Sequence, residues 1–280
     1  MQRGDSLHST RRKHMKLAYY PGCTLRTKAK ELDKYARQSA AALGIELCEI
    51  PDWQCCGGVY TTSRDEIATK LSSVRALTSA KKMGSESLVT VCSACYNVLK
   101  QTNHAIATDP DMARAVHNYM SDEEPYGGEI PVVHYLEMLR DTVGFDKIAA
   151  AVAANENNPV KGKKIGAYYG CLLLRPSSVM KMDDPENPVI MEEFIKAIGG
   201  TPVVYPYRNE CCGGYIALED PASAKAKSQA VAKNAAAFDA ELLVTACPLC
   251  RYNLEKNGSA LPVVYFTELL AKALGVAEEA

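Results

Sequence analysis

Short apolar runs alternate along the chain with stretches whose apolar positions recur at helical spacing. LAYY (17–20) reads as a strand, and KAKELDKYARQSAAALG (28–44) as a helix ending on Gly44, a residue type that stops helices in a left-handed conformation. IELCEI (45–50) reads as a second strand, residues 64–84 as a helix, SLVTV (87–91) as a third strand, and another helix starts at about Tyr96. PVVHY (131–135) is a fourth strand, followed by a short helix. An order of β-α-β-α-β-α-β-α predicts an α/β fold, because parallel strands need crossover connections that place helices on the sheet.

The pattern is then repeated. KLAYYPGCTLR (16–26) matches KIGAYYGCLLLR (164–175) with one insertion, and DWQCCGGVY (52–60) matches RNECCGGYI (208–216). LVTVCSACYNVL (88–99) matches LVTACPLCRYNL (243–254), and PVVHYLEMLRDTVG (131–144) matches PVVYFTELLAKALG (262–275). Four blocks in the same order predict two duplicated Rossmann-like domains related by a pseudo-twofold. The expected division is a disordered leader or extension at 1–14, a first domain at 15–147, a linker at 148–163 and a second domain at 164–280. The linker centres on AVAANENNPVKGKK (151–164). The first copy carries about two dozen extra residues between its third and fourth blocks, including SDEEPYGGE (121–129), expected as a surface excursion.

Charge narrows the partners. With 32 Lys+Arg against 33 Asp+Glu in 280 residues, nothing in the balance favours nucleic acid or an anionic membrane. No run of about 18 apolar residues occurs, so the expectation is a soluble chain without a membrane span. The 11 cysteines are an odd number, which excludes complete disulfide pairing, and the basic leader lacks the apolar core of a secretory signal. Both facts place the thiols in a reducing, cytoplasmic compartment, where clustered cysteines more often bind metals or do redox chemistry than form bridges.

Ten of the eleven fall into two matched sets. Cys23, Cys55, Cys56, Cys92 and Cys95 follow C-x31-CC-x35-C-x2-C, and Cys171, Cys211, Cys212, Cys247 and Cys250 follow C-x39-CC-x34-C-x2-C. Each cysteine follows a predicted strand, so all five of a set should gather along the carboxyl edge of one sheet, where α/β folds bind ligands. Gly57-Gly58 and Gly213-Gly214 suit a tight turn against a bulky inorganic group. Buried structural thiols, tetrahedral zinc, a thiol–disulfide exchanger and an iron–sulfur cluster all use cysteine. Zinc leaves one thiolate over in each set, and an exchanger needs a single exposed CxxC. A polynuclear cluster offers adjacent cysteines different irons, so the CC pair makes chemical sense there. Cys48, inside a predicted strand, has no partner in the other copy and reads as structural. The five histidines, His8, His14, His104, His117 and His134, stand away from every cysteine block in sequence, which disfavours histidine ligation. Arg26, Arg175 and Arg251 lie close to cysteines and are candidate clamps for anionic groups, or else rim residues.

YYPGC, DWQCCGG and VTVCSAC in the first half, with YYGCLLLRP, ECCGG and VTACPLC in the second, resemble the B-type subunit of heterodisulfide reductase, within the CCG (cysteine-rich domain) superfamily. The likeness covers residues 15–276. It implies two noncubane [4Fe-4S] clusters, one per CCG motif, each ligated by the five cysteines of its set, with a disulfide substrate cleaved between them. It implies an oxidoreductase acting on a sulfur group, within a complex that also includes a flavin-containing partner and a ferredoxin-like subunit. The sequence has no GxGxxG fingerprint or ferredoxin motif, so no flavin or nicotinamide is expected on this chain and electrons must arrive from elsewhere. The alternative is a CCG-type electron-transfer subunit without disulfide chemistry, as in lactate utilisation or succinate:quinone reductase systems.

Overall fold

A computed structural model describes residues 14–58 and 65–277. The first half runs β1 (Met15–Tyr20), α1 (Gly22–Thr27), α2 (Lys30–Ala42), β2 (Ile45–Glu49), α3 (Ala68–Lys82), β3 (Leu88–Thr90), α4 (Ser93–Thr108), α5 (Pro110–Tyr119), β4 (Val132–His134) and α6 (Tyr135–Glu137). A π-helical stretch, Met138–Val143, leads into α7 (Phe145–Ala153). The second half runs β5 (Lys164–Tyr168), α8 (Ser177–Met180), α9 (Ile190–Ala197), β6 (Thr201–Val203), α10 (Pro221–Ala237), β7 (Leu242–Thr245), α11 (Pro248–Lys256), β8 (Val263–Tyr265) and α12 (Phe266–Ala273).

The halves form two four-stranded parallel sheets, ordered β2-β1-β3-β4 and β6-β5-β7-β8. Each chain path leaves the first strand toward one edge and returns on its other side. The carboxyl ends of β1 and β5 are therefore switch points, where a crevice opens between divergent connections. Every residue of β3 is buried, as a central strand covered on both faces requires. Helix α2 buries Leu32, Ala36, Ser39 and Ala40, one stripe at i, i+4 and i+8 with a polar neighbour.

The two sheets share one core. Its buried residues include Leu88 and Tyr135 from the first half together with Phe194 and Phe266 from the second, while a smaller cluster surrounds Tyr168, Cys212 and Cys250. Phe266 stacks at 5.8 Å on Tyr135 and 6.0 Å on Phe194, so the aromatic packing crosses the junction. Tyr265 crosses it too, donating its hydroxyl to the Val91 carbonyl at 2.7 Å.

Several expectations change in detail. The helix expected over 28–44 is Lys30–Ala42, and a short extra helix, Gly22–Thr27, precedes it, the two separated at Ala29 (φ −130°, ψ 47°). The helix expected from about Tyr96 begins at Ser93, with Cys92 as its extended N-cap residue. The insertion between 107 and 130 lies mostly at the surface and is largely helical. It is the end of α4 plus α5, started by Asp109 capping the Asp111 and Met112 N–H groups, and it returns through Tyr126, which is fully buried. The segment 148–163 is helical through Ala153, and Asn155 then donates to the carbonyls of Lys272 and Ala273 at the end of α12. The expected leader falls on residues 1–13, outside the described residues, apart from His14, which is exposed. Among the described residues no helix is long and apolar enough to cross a membrane.

Strand register also corrects the repeat. Tyr20 stands opposite Thr90 and Tyr168 opposite Thr245, and each hydroxyl donates to the residue before its CC pair, Gln54 or Glu210. Lys16 to Cys23 thus superposes on Lys164 to Cys171 without a gap, and the inserted residue falls after the cysteine.

Candidate functional site

Within each half the local fold brings distant cysteines to one place. Cys23 lies in α1 just past β1, Cys55 and Cys56 in the loop after β2, and Cys92 and Cys95 at the start of α4. The Sγ atoms of Cys55 and Cys23 are 3.5 Å apart, and those of Cys56 and Cys95 also 3.5 Å. In the second half Cys171 and Cys211 are 3.8 Å apart and Cys212 and Cys250 3.6 Å. All eleven thiols are free. Cys48 stays apart on β2, 3.8 Å from a Glu46 carboxylate oxygen.

Charge is distributed unevenly through these contacts. Cys56 is pulled down to about 3 by hydrogen bonds from Cys55 and then Cys95, and Cys55 rises in turn. Cys211 is pulled down to about 2 by Cys171 and Cys212, while Cys212 rises to about 11. These hydrogen bonds favour the thiolate, the form that binds metals, within each adjacent pair. The two sets also meet. Ser93, next to Cys92, donates its hydroxyl to the carbonyl of Ala246, next to Cys247, at 2.8 Å, and Cys92 is pushed up chiefly by Cys247. Backbone N–H groups in the first turns of α4 and α11 lower the same two cysteines, as the positive end of a helix does for an anion.

Glycines keep room beside these sulfurs. Gly22 and Gly170 have φ of +77° and +65°, and a Cβ would stand 2.7 Å from Cys95 Sγ in one case and 3.2 Å from Cys250 Sγ in the other. Gly57 and Gly213 likewise turn in the left-handed region, as expected from the CCG triplets. Among the described residues no three Cys, His, Asp or Glu side chains converge on the position of a single ion; the sulfurs come in pairs. Two sulfur pairs and a fifth cysteine in each half, with space reserved by glycine, fit a polynuclear cluster better than a lone tetrahedral ion.

The outer rims differ. Cys23 and Cys55 are exposed, whereas Cys171 and Cys211 are half-buried. The cover comes from the eight extra residues of the x39 spacer: Arg175 donates to the carbonyls of Asn209 and Pro185 and to Glu186, and Asn209 donates to Pro185. Asn97 of α4 holds this segment by donating to the carbonyls of Leu172 (2.8 Å) and Arg175 (2.7 Å). The arginines are committed elsewhere than to a ligand. Arg175 ties the cover, Arg251 pairs with Glu255 and Glu268, and Arg26 makes a long contact of 3.7 Å with Glu49.

Sequence distance hid two histidines. His104 shares a cavity of about 440 Å³ with Cys56, Gly57, Lys70 and Gln101, because α4 carries Cys95 and His104 on one rod. His134 is fully buried and stacks edge-on to Tyr96 at 5.4 Å; burial lowers it to about 3, so it is neutral. Its place opposite Thr90 follows from β4 lying beside β3, a pairing that sequence spacing does not reveal.

The cysteine-rich domain family, designated CCG, matches the chain twice, over residues 17–100 and 165–255. The chain belongs to this family. Among its relatives, the CCG protein called the membrane anchor subunit of 8-methylmenaquinol:fumarate reductase from Wolinella succinogenes is 29% identical, over 92% of each chain. The B-type subunit of the ferredoxin/F420H2-dependent CoB-CoM heterodisulfide reductase of Methanosarcina acetivorans is 25% identical over 93% of this chain and 89% of its own. A protein from Archaeoglobus profundus described as like the heterodisulfide reductase B-type subunit is 27% identical over 93% and 91%. In three dimensions the CCG pair is similar to a crystal structure of a hypothetical protein from Helicobacter pylori, with a TM-score of 0.65 at 13% identity over 94% of this chain. This chain spans 49% of that protein, and the likeness concerns the fold alone.

Proposed function

We propose that the chain is the catalytic iron–sulfur subunit of a heterodisulfide reductase-type complex, reducing a disulfide to two thiols at two noncubane [4Fe-4S] clusters. Cys23, Cys55, Cys56, Cys92 and Cys95 would hold one, and Cys171, Cys211, Cys212, Cys247 and Cys250 the other. The observation that carries this reading is the approach of the two cysteine sets, where Ser93 beside Cys92 donates to the Ala246 carbonyl beside Cys247 at 2.8 Å. Cleaving an S–S bond takes two electrons, and two one-electron groups on either side of a junction suit that count. When bound, the clusters would supply those electrons.

The chain's own residues do the rest. Gly22 and Gly170 leave the space, the helix starts at Ser93 and Pro248 favour negative charge on sulfur, and the shared core fixes the distance between the halves. Similarity to the B-type subunits over more than nine-tenths of the chain supports the same assignment. On this reading the electron supply is a ferredoxin-like subunit, itself fed by a flavin-containing one, in a reducing, cytoplasmic compartment where eleven free thiols persist.

A second reading, a CCG electron-transfer subunit without disulfide chemistry, is favoured by the 29% identity to the Wolinella anchor protein. One set of measurements separates the two readings from a zinc scaffold. Anaerobically purified protein should contain about eight irons with matching acid-labile sulfide, and should reduce hydroxyethyl disulfide with reduced methyl viologen. Full iron without turnover selects the electron-transfer reading, and zinc without sulfide rejects both.

A further inference from the structure

The two outer rims differ in charge as well as in exposure. At the first, Cys23 and Cys55 are exposed with their sulfurs 3.5 Å apart, while Cys92 and Cys95 of the same set are buried. Ser93, beside Cys92, is the residue that donates across the junction. The first set therefore has an inner side at the junction and an outer side in solvent. At the second rim the cover leaves Cys171 and Cys211 half-buried.

Matched positions carry the difference in charge. Arg26 and Arg175 are equivalent in the repeat. The side chain of Arg26 is 59% exposed and has only its 3.7 Å contact with Glu49, whereas Arg175 pairs with Glu186 at 3.0 Å. The residue before the CC pair is Gln54 in the first half and Glu210 in the second, both exposed. Residues 24–34, which continue from Cys23, expose Arg26, Lys28, Lys30 and Lys34 against one acid, Glu31. Among the described residues Lys28 and Lys30 have no ion-pair partner. The cover of the second half instead exposes Asp184 and Glu186 against Lys181. Trp53, the single tryptophan of the chain, sits half-buried two residues before Cys55 and donates to Glu49 at 3.0 Å. Tryptophan and arginine are the residue types that protein interfaces favour.

We propose that the exposed rim of the first half, Cys23 with Arg26, Lys28 and Lys30, is the docking face for an iron–sulfur electron-carrier protein that presents an acidic surface. The proposal rests on the iron–sulfur reading of the first cysteine set. Electron tunnelling weakens steeply with distance, so a carrier must approach the side of a site that protein does not cover. In each encounter the reduced carrier loses one electron and the group held by the first set gains it. Two encounters supply the pair that splits RS–SR′ into RS⁻ and R′S⁻, which take protons from water. Opposite charge speeds the encounter and selects the rim, because Glu210, Asp184 and Glu186 repel the same acidic surface.

The test uses the complete chain, anaerobically loaded, with reduced plant-type [2Fe-2S] ferredoxin, an acidic carrier, as the probe. In stopped flow at low salt, electron transfer from ferredoxin should be about tenfold slower in Arg26→Glu/Lys28→Glu/Lys30→Glu than in wild type. Raising the salt should bring the wild-type rate down toward that of the variant. Ferredoxin affinity for immobilised protein, which needs no turnover, should fall in parallel. The triple variant should keep its iron and its rate of hydroxyethyl disulfide reduction with reduced methyl viologen, a small dye that needs no docking face. Lys225→Glu/Lys227→Glu, which reverses charge near Cys211, should accept electrons from ferredoxin at the wild-type rate. An unchanged ferredoxin rate and affinity in the triple variant overturns the proposal, and so does an equal loss with viologen, which would make these cations supports of the site. A loss confined to Lys225→Glu/Lys227→Glu overturns it by moving the carrier to the second half. A wild type with full iron that takes electrons from ferredoxin and leaves the disulfide intact rejects the reductase reading while the docking face stands. Zinc in place of iron rejects both.

Discussion

The first and second halves present the same five thiols on the same four strands, yet the surroundings diverge at each point where the spacing differs. The second half spends eight extra residues between Cys171 and Cys211 on a cover, tied by Arg175 and Asn209, that leaves those thiols half-buried. The first half leaves Cys23 and Cys55 exposed and instead extends α4 and adds α5. The two elaborations meet: Asn97 on α4 holds the cover by its backbone carbonyls, and Tyr96 donates to the Met180 carbonyl. Duplication supplied matched cysteine sets, and unequal insertions left the rim of one exposed and that of the other half-buried.

The comparison breaks most directly at the cysteines. Cys56→Ser and Cys212→Ser should each lose about four of eight irons and all disulfide turnover, since a two-electron step needs both sides. A Cys212→Ser protein with full turnover would show that the halves are not equal partners. Glycine tests the same point more gently. A Cβ at Gly22 meets Cys95 Sγ at 2.7 Å, against 3.2 Å for Gly170 and Cys250, so Gly22→Ala should lose more iron than Gly170→Ala in parallel reconstitutions. Equal losses would mean that backbone strain, common to both, outweighs the sulfur contact.

Acid distinguishes the halves next, because His134 on β4 is replaced by Tyr265 on β8. His134 is held neutral, its ionisation lowered from 6.5 to about 3 by burial. The unfolded chain binds this proton as pH falls through 6.5 and the folded one does not, so stability is fully present above 6.5 and is lost toward 3. The slope is at most about 1.4 kcal/mol per pH unit. His134→Gln should flatten urea-denaturation midpoints across that window, and a curve parallel to wild type would refute the assignment. The smallest effect belongs to the clamp between insertions. Asn97→Ala strips donors from two carbonyls and should cost about 1–3 kcal/mol, read as a lower urea midpoint. It should also speed alkylation of Cys171 in metal-free protein, and an unchanged rate would show that the cover stands without the clamp.

Much of this was legible beforehand, for identifiable reasons. Strand and helix placement follows from periodicity, which is local, and the repeat doubled each signal. Boundaries slipped where one backbone conformation decides, as at Ala29, or where a cysteine occupies the extended N-cap position, as at Cys92. The 107–130 insertion looked like a surface loop because SDEEPYGGE is polar and glycine-rich, but Tyr126 inside it donates to Asn103 and is buried. His104, which shares a cavity with Cys56, and Tyr215, whose ionisation burial and the cysteines of both halves push up, were not legible at all. One reaches the site along a helix, the other across the junction.

The amino-acid sequence alone determined the two sets of five cysteines, the duplicated α/β order that carries them to strand ends, and the solitary status of Cys48. These depend on spacing and period, quantities that a linear chain contains. Only the tertiary structure decided that the halves touch beside Cys92 and Cys247, where Ser93 donates to the Ala246 carbonyl, and that one core joins the sheets. Such facts arise from packing between segments more than a hundred residues apart.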